Sequence, residues 1–165
     1  MADEAPASPP GDSPFRGGFR FVDDAEHVTV DVWGSDLTEV LPRAAESLFQ
    51  AAGKPESFVP APPFRLEAHG DSAADLVASI ATALLSMYRD EGRFTTVAAC
   101  KSVVSIEEGG TLPAGVACVL VLSGGHVDSE HDPGLRRVAL SRSPAGVWEE
   151  NGILRARFHL HVDGT

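Results

Sequence analysis

The nonapeptide LRARFHLHV, residues 154–162, alternates apolar and polar side chains without a break. Successive side chains of a β-strand point to opposite faces, so a period of two predicts a strand with one buried and one polar face. The buried face is predicted to carry Leu154, Ala156, Phe158, Leu160 and Val162. The polar face is predicted to carry Arg155, Arg157, His159 and His161. Asn151-Gly152, just upstream, predicts a tight hairpin with residues 147–149, because both turn residues tolerate positive φ.

A second alternating stretch runs from His27 to Trp33 and ends at Gly34. Its valines fall on one face of the predicted strand. The other face is predicted to carry His27, Thr29, Asp31 and Trp33. A shorter alternation over residues 19–21 indicates that the folded domain begins near Gly18.

Residues 36–52 and 72–91 have helical periodicity, with apolar residues three or four positions apart. The apolar stripe of the first helix comprises Leu37, Val40, Leu41, Ala44, Ala45, Leu48 and Phe49. The stripe of the second comprises Leu76, Val77, Ile80, Leu84, Met87 and Tyr88. Ser72, with Asp75 three residues later, is a variant of the capping box and predicts a helix start. Pro42 is expected to lie near the first turn or to kink the helix.

The remaining segments of the domain are predicted to be extended, at residues 64–68, 94–106, 116–122, 135–140, 147–149 and 153–162. The segment Val116–Leu122 is apolar throughout, so we expect a central strand that is covered on both faces. The order β-α-β-α-β-β-β-β-β predicts an α+β fold, with two helices packed on one face of an antiparallel-rich β-sheet. We expect a single domain over residues 18–165.

Residues 1–17 are predicted to be a disordered tail, because prolines, small residues and acidic residues bury too little apolar area to offset chain entropy. The chain start lacks the pattern of a signal peptide, and no apolar run reaches the ~20 residues of a membrane helix. Cys100 and Cys118 lie in apolar surroundings and are expected to be reduced and buried. We therefore expect a cytoplasmic protein without membrane contact.

The formal net charge of the chain is −11. Such a surface repels phosphate backbones, so direct nucleic-acid binding is not expected, whereas contact with a protein partner remains compatible. The sequence contains neither a nucleophile motif of the G-x-S-x-G type nor a phosphate loop of the G-x-x-x-x-G-K-[ST] type. We therefore do not expect an enzyme.

The polar faces of the two alternating strands carry candidate metal ligands. His159 and His161 point the same way from one strand, and His27 could be a third imidazole ligand. Carboxylates next to the first alternating strand could instead bind a hard cation: Asp23, Asp24 and Glu26. The alternative is that all of these are ordinary surface residues, as is also expected for the His- and Asp-rich loop at residues 126–132.

Segments spread over the domain, from Phe21 to Val162, together resemble the archease family. These segments are residues 24–49, 70–92, 124–136 and 148–162. The strongest of them reads DAEHVTVDVWG at residues 24–34, followed by A-A-x-x-L-F at residues 44–49. Archeases have a similar strand, an aromatic-Gly turn and a helix of the same spacing. The order and spacing of the segments carry the resemblance.

Archeases are small acidic proteins that promote guanylylation and turnover of the GTP-dependent ligase that seals tRNA exon halves and some broken RNAs. The resemblance therefore implies an accessory protein, a protein cofactor, whose partner is an RNA ligase protein in tRNA splicing or RNA repair. The alternative is a diverged protein on the same scaffold that has lost the metal site and serves another partner.

The resemblance also implies a metal site, which archeases build from carboxylates in the first and last strands. In this chain the two aspartate positions hold His27 and His161, the latter followed by Val162, and the position of a functional lysine holds Arg136. The implied cofactor is a divalent metal, Ca²⁺ as in the family, or Zn²⁺ if the histidines ligate. Nearby candidates to complete the ligand shell are Asp24, Glu26 and His159.

Overall fold

The computed structural model describes residues 17–24, 27–106 and 115–163. Its two helices are α1 (Leu37–Ala52) and α2 (Ala73–Glu91). Its strands are β1 (Gly18–Asp24), β2 (His27–Gly34), β3 (Val59–Gly70), β4 (Arg93–Ile106), β5 (Gly115–His126), β6 (Arg137–Leu140), β7 (Gly146–Glu150) and β8 (Ile153–Asp163). Within these described ranges, neither helix is long and apolar enough to cross a membrane.

The strands form two antiparallel sheets. The five-stranded sheet has the order β1-β2-β8-β6, with β7 also paired to β8, and the three-stranded sheet has the order β3-β5-β4. Both helices contact strands of both sheets, so the helices join the two sheets around one continuous core. Phe49 of α1, Phe158 of β8 and Leu120 of β5 are among its fully buried side chains.

The ends of both helices follow from their sequences. The Asp36 carboxylate accepts a hydrogen bond from the backbone N–H of Thr38 at the start of α1. At the start of α2, the Ser72 hydroxyl accepts from the Asp75 N–H, and the Asp75 carboxylate accepts in turn from Asp71. The bond from the Asp75 N–H to Ser72 is the predicted N-terminal cap, whereas the second bond comes from Asp71 rather than from Ser72. Gly92 ends α2 with a φ of +68°, a conformation that glycine adopts without strain.

The edge strand β4 is held by side chains of α1. The backbone N–H of Ala98 donates to the Glu46 carboxylate at 2.9 Å, and the Arg43 guanidinium donates to the Ala98 carbonyl at 3.4 Å. Arg43 and Glu46 also form an ion pair at 3.1 Å. The register of β4 shifts between Thr95 and Val97, next to this anchor. The helix thus occupies backbone groups that a further strand would otherwise use.

The predicted α+β class is confirmed, and both predicted helices agree with the structure to within one residue at their first positions. Pro42 lies inside α1, five residues after its first residue, Leu37, and therefore beyond the first turn. The alternation of β8 is confirmed, and Asn151-Gly152 forms the hairpin turn with φ values of 54° and 79°. Cys118 is buried and Cys100 is only half-buried.

Three features differ from the sequence expectation. The alternation at residues 19–21 belongs to a full strand, β1, which pairs with β2. The strands form two sheets rather than one, and each helix contacts strands of both. Strand β5 is central, as predicted, but Val119 and Val121 on its outer face are half-buried rather than covered.

Candidate functional site

The register between β2 and β8 pairs the polar residues of the two strands one to one. His27 lies opposite His161, Thr29 opposite His159, and Asp31 opposite Arg157. The valines of β2 and the apolar residues of β8 point the other way, into the core. The two strands therefore present a ladder of polar pairs on the sheet face that points away from the helices.

The first rung of this ladder is the pair of histidines. Their ring centroids are 5.3 Å apart and their planes meet at 68°. Two imidazoles that share a tetrahedral Zn²⁺, each with a nitrogen at about 2.0–2.1 Å, have centroids about 5 Å apart. The spacing of His27 and His161 therefore fits a shared ion. Nε2 of His161 also lies 3.3 Å from a carboxylate oxygen of Asp163.

The other candidate ligands have different surroundings. His159 Nδ1 lies 3.0 Å from the Thr29 hydroxyl, so this imidazole already has a hydrogen-bond partner. Val162 points into the core and offers no ligating side chain. In the described ranges, no group of three or more His, Cys, Asp or Glu side chains is close enough to hold a metal.

The acidic candidates of the first hairpin are only partly described. Asp23 and Asp24 belong to β1, where their backbones pair with Val28 and His27. Nothing is described of the side chains of either aspartate, and Glu26 lies outside the described residues. The backbone pairing places Asp24 next to the histidine rung.

Arg136, which the archease resemblance aligns with a functional lysine, contacts the end of helix α1. Its guanidinium donates to the Ala51 carbonyl at 2.8 Å, and its backbone N–H donates to the Ala52 carbonyl at 2.8 Å. Both bonds satisfy carbonyls at the C-terminus of α1, where a cation is favourable. The neighbouring Arg137, in β6, instead lines a cavity together with His161.

This cavity has a volume of about 400 Å³ and lies between the end of α2, β6 and the end of β8. Its charged and aromatic lining residues are Tyr88, Arg89, Glu130, Arg137, His161 and Asp163. The Tyr88 hydroxyl donates to the Arg136 carbonyl at 3.0 Å. Burial, with a further contribution from the negative charge of Asp132, raises the pKa of Tyr88 to about 12, so the hydroxyl stays protonated and remains a donor.

The acidic loop next to the cavity is internally bonded. Asp132 is buried and accepts hydrogen bonds from the backbone N–H groups of Glu56, Ser57 and Gly134. Burial opposes ionisation of this carboxyl, but the three bonds outweigh it and lower the pKa of Asp132. Bonds from His131 likewise lower the pKa of Asp128, against a smaller opposing effect of burial. These carboxylates hold the loop together, in agreement with its interpretation as ordinary loop chemistry.

The Asp31 rung is a charged cluster. Asp31 is 7% exposed, and its carboxylate accepts from Arg157 Nε at 2.6 Å and from a terminal nitrogen of Arg157 at 3.2 Å. Arg20 of β1 donates to the same carboxylate at 3.4 Å. The hydrogen bonds that Arg157 donates to Asp31 raise the pKa of Arg157, with burial opposing. The Asp31 carboxylate of β2 thus binds two guanidinium groups, one from each neighbouring strand, β1 and β8.

Sequence reasoning missed several residues of this site. Asp163 follows His159 and His161 at the same spacing of two, so the alternation could have identified it. Arg137 could have been found only by knowing which of Arg136 and Arg137 lines the cavity. Tyr88 and Arg89 come from the end of α2, and nothing in their local sequence indicates a contact with β8.

The fold and the ladder define an α+β protein with two antiparallel sheets and a histidine pair at one end of the larger sheet. No protein-family model matches the chain, and no curated protein matches it. Among solved structures, it is similar to the solution structure of protein 1598 of Methanobacterium thermoautotrophicum. The TM-score is 0.65 and the identity 21%, over 87% of this chain and 98% of that one. The likeness shows a shared fold over nearly the whole domain.

Proposed function

We propose that this protein is an archease-like accessory protein, which activates a GTP-dependent tRNA-splicing or RNA-repair ligase by promoting its guanylylation and turnover. The observation that supports the proposal is the pairing of His27 with His161. These are the two positions where the family resemblance implies metal ligands, and they face each other although they are far apart in sequence. The chain acts through the partner ligase and carries out no reaction of its own.

The residues at this end of the sheet fit a borderline divalent ion such as Zn²⁺ better than Ca²⁺, because imidazole nitrogens replace carboxylate oxygens. His27 and His161 would hold the ion, with Asp163 next to one of them. The ion would supply positive charge at the rim of the cavity that Arg137 also lines. Compared with the family site, this site would bind a different ion at the same place in the fold.

The proposal is tested by mixing the purified chain with the GTP-dependent RNA ligase of the same organism, in the presence of radiolabelled GTP. We expect faster formation of the ligase–guanylate adduct and repeated rounds of RNA sealing. A double variant, His27→Ala with His161→Ala, should lose the effect. Arg65→Gln, on an exposed side chain of the other sheet, should keep it. No acceleration by the correctly folded chain refutes the proposal.

A second candidate function is a binding protein on the same scaffold that serves another partner without a metal. The observation that favours it is the character of the sheet face beyond the histidine rung. Arg20, Arg157 and Trp148 lie there, and such residues are typical of protein-binding surfaces. Binding of a partner that is unchanged in the double histidine variant would support this candidate.

A further inference from the structure

The outer face of the five-stranded sheet changes character along its strands. At one end lies the histidine rung, and at the other end arginine and tryptophan side chains meet on four strands. We call this second region the Trp–Arg face, and it comprises Arg20, Trp33, Trp148, Arg155 and Arg157. The register explains the grouping, because Arg20, Asp31 and Arg157 are paired across one row, and Gly18, Trp33, Arg155 and Trp148 across the next.

The Trp–Arg face is locally basic on a chain whose net charge is −11. Among the described side chains, its three guanidinium groups pair with two carboxylates: the buried Asp31, and Glu150, which lies 2.9 Å from Arg155. Each guanidinium carries five N–H donors. Three hydrogen bonds to Asp31 therefore leave most donors of Arg20 and Arg157 unused by that carboxylate. The side chain of Arg20 is 60% exposed and that of Arg157 48%.

The two indole rings provide an apolar floor beside these donors. Trp33 packs over Gly18, where a Cβ would come within 2.8 Å of the ring. Trp148 is 39% exposed, and the Arg157 guanidinium lies 5.7 Å from the centre of its ring. A shallow cavity of about 240 Å³ lies between Arg20, Trp148 and Arg155. Tryptophan and arginine are the residues most enriched in the energetic centres of protein interfaces.

From this arrangement we propose that the Trp–Arg face docks a short acidic segment of a partner protein. The contacts of Asp31 illustrate how these arginines bind a carboxylate. Arg157 donates two hydrogen bonds to it, and Arg20 donates one from the strand on the other side. The outward donors of Arg20 and Arg157 offer carboxylates of a partner the same forked contact. Apolar atoms of the segment would lie on Trp148. This proposal does not depend on the function proposed above.

Charge favours an acidic peptide over RNA as the occupant. A nucleic acid brings one negative charge with every nucleotide, and a chain of net charge −11 repels it along its whole length. A peptide with a few carboxylates meets the basic face without extending far over the acidic remainder.

The test uses intrinsic fluorescence, because the chain has two tryptophans and both belong to this face. The full chain is titrated with a hexapeptide that contains two glutamates and four apolar residues and, separately, with a uridine hexamer RNA. We expect a saturable change of tryptophan emission with the peptide, weakening as NaCl is added. Arg20→Gln should weaken peptide binding by about threefold, as for an exposed charge pair.

Arg65→Gln is the matched control, because Arg65 is 67% exposed, lies 3.5 Å from Glu67, and belongs to the other sheet. It removes the same charge and should leave peptide affinity unchanged. Equal weakening in both variants, tighter binding of the RNA, or no saturable response would overturn the proposal. An emission change that follows protein concentration without peptide would identify a second copy of the chain as the occupant, which also overturns it.

Discussion

The two faces of the β2–β8 pair have opposite character, although they alternate residue by residue. The inner face carries side chains such as Val30 and Phe158, which are at most 1% exposed. The outer face carries His27, His161 and Arg157, which interact with one another's strands and remain accessible. The inner face packs on the helices, and the outer face meets them only at its edge, where Tyr88 and Arg89 of α2 line a cavity together with His161 among the described residues.

The fold therefore depends on the inner residues of the two strands, and the candidate site depends on the outer residues. Inner residues must fill the core, so they tolerate only apolar replacements of similar volume. Outer residues need only suit a strand, so one polar residue can replace another there without altering the sheet. A likeness of fold at 21% identity therefore does not determine which residues lie on this outer face.

The largest effect is expected from the inner face. Phe158→Ala removes a fully buried aromatic ring and should lower the free energy of unfolding by about 3–5 kcal/mol. His159→Ala, its neighbour on the outer face, should change it by about 1 kcal/mol or less. Urea denaturation followed by circular dichroism measures both. Similar losses for the two variants would contradict the division between the faces.

Asp31 is the exception on the outer face, because it is buried and bonded to two arginines. Asp31→Asn should cost about 1–3 kcal/mol, since charge-assisted hydrogen bonds to Arg157 become neutral ones. A double-mutant cycle with Arg157→Gln measures the coupling between the two groups in the same denaturation experiment. If the losses in the free energy of unfolding were additive, Asp31 and Arg157 would act independently, and Asp31 would resemble the other residues of the outer face.

The pair of His27 and His161 should contribute far more to metal binding than to the stability of the fold. Calorimetric titration of the chain with Zn²⁺ should show binding that disappears in the His27→Ala, His161→Ala double variant. Neutral imidazole is the ligating form, so the affinity should fall as the solution is acidified. Parallel titration with Ca²⁺ should show the weaker binding.

His131→Ala is the control for this titration, because His131 is exposed in a loop and bonds only Asp128 among the contacts described for its ring. Its Zn²⁺ binding should equal that of the unmodified chain. Binding that persists in the double variant, or is absent from every form, would rule out the histidine pair as a metal site. A loss of stability in the double variant without metal would assign the pair a structural role.

The smallest effect is expected from the N-terminal segment. Its composition predicts little burial, so removal of residues 1–16 should leave the melting temperature nearly unchanged. Differential scanning fluorimetry of the shortened and full chains measures this. A large fall in melting temperature would show that the segment packs on the domain and that the two faces do not account for stability on their own.

Periodicity predicted most of the fold. The strict alternation of β8 and the apolar stripes of α1 and α2 each correspond to an observed element, because burial on one side imposes a period. The division into two sheets was not predictable in this way. It depends on how α1 packs between β2 and β4, which are distant in sequence, and a local pattern carries no record of such contacts.

The candidate site was predictable only where it lies on one strand. The alternation indicated that His159 and His161 share a face, whereas the opposition of His27 and His161 depends on register between distant strands. The cavity next to His161 depends on the end of α2, and Tyr88 was assigned only to the apolar stripe. Arg136 and Arg137 are identical in type, and their different environments follow from where β6 begins.

The anchoring of Ala98 by Glu46 and Arg43 also bears on whether two copies of the chain can pair through their edge strands. Strand β4 is an edge, and it displays exposed Val97 and Val104 beside backbone groups that could recruit another strand. Two ionic side chains already occupy the Ala98 amide and carbonyl at the centre of this edge. A strand of a neighbouring molecule therefore cannot bond to this edge through Ala98, and an uninterrupted intermolecular ladder along β4 is disfavoured.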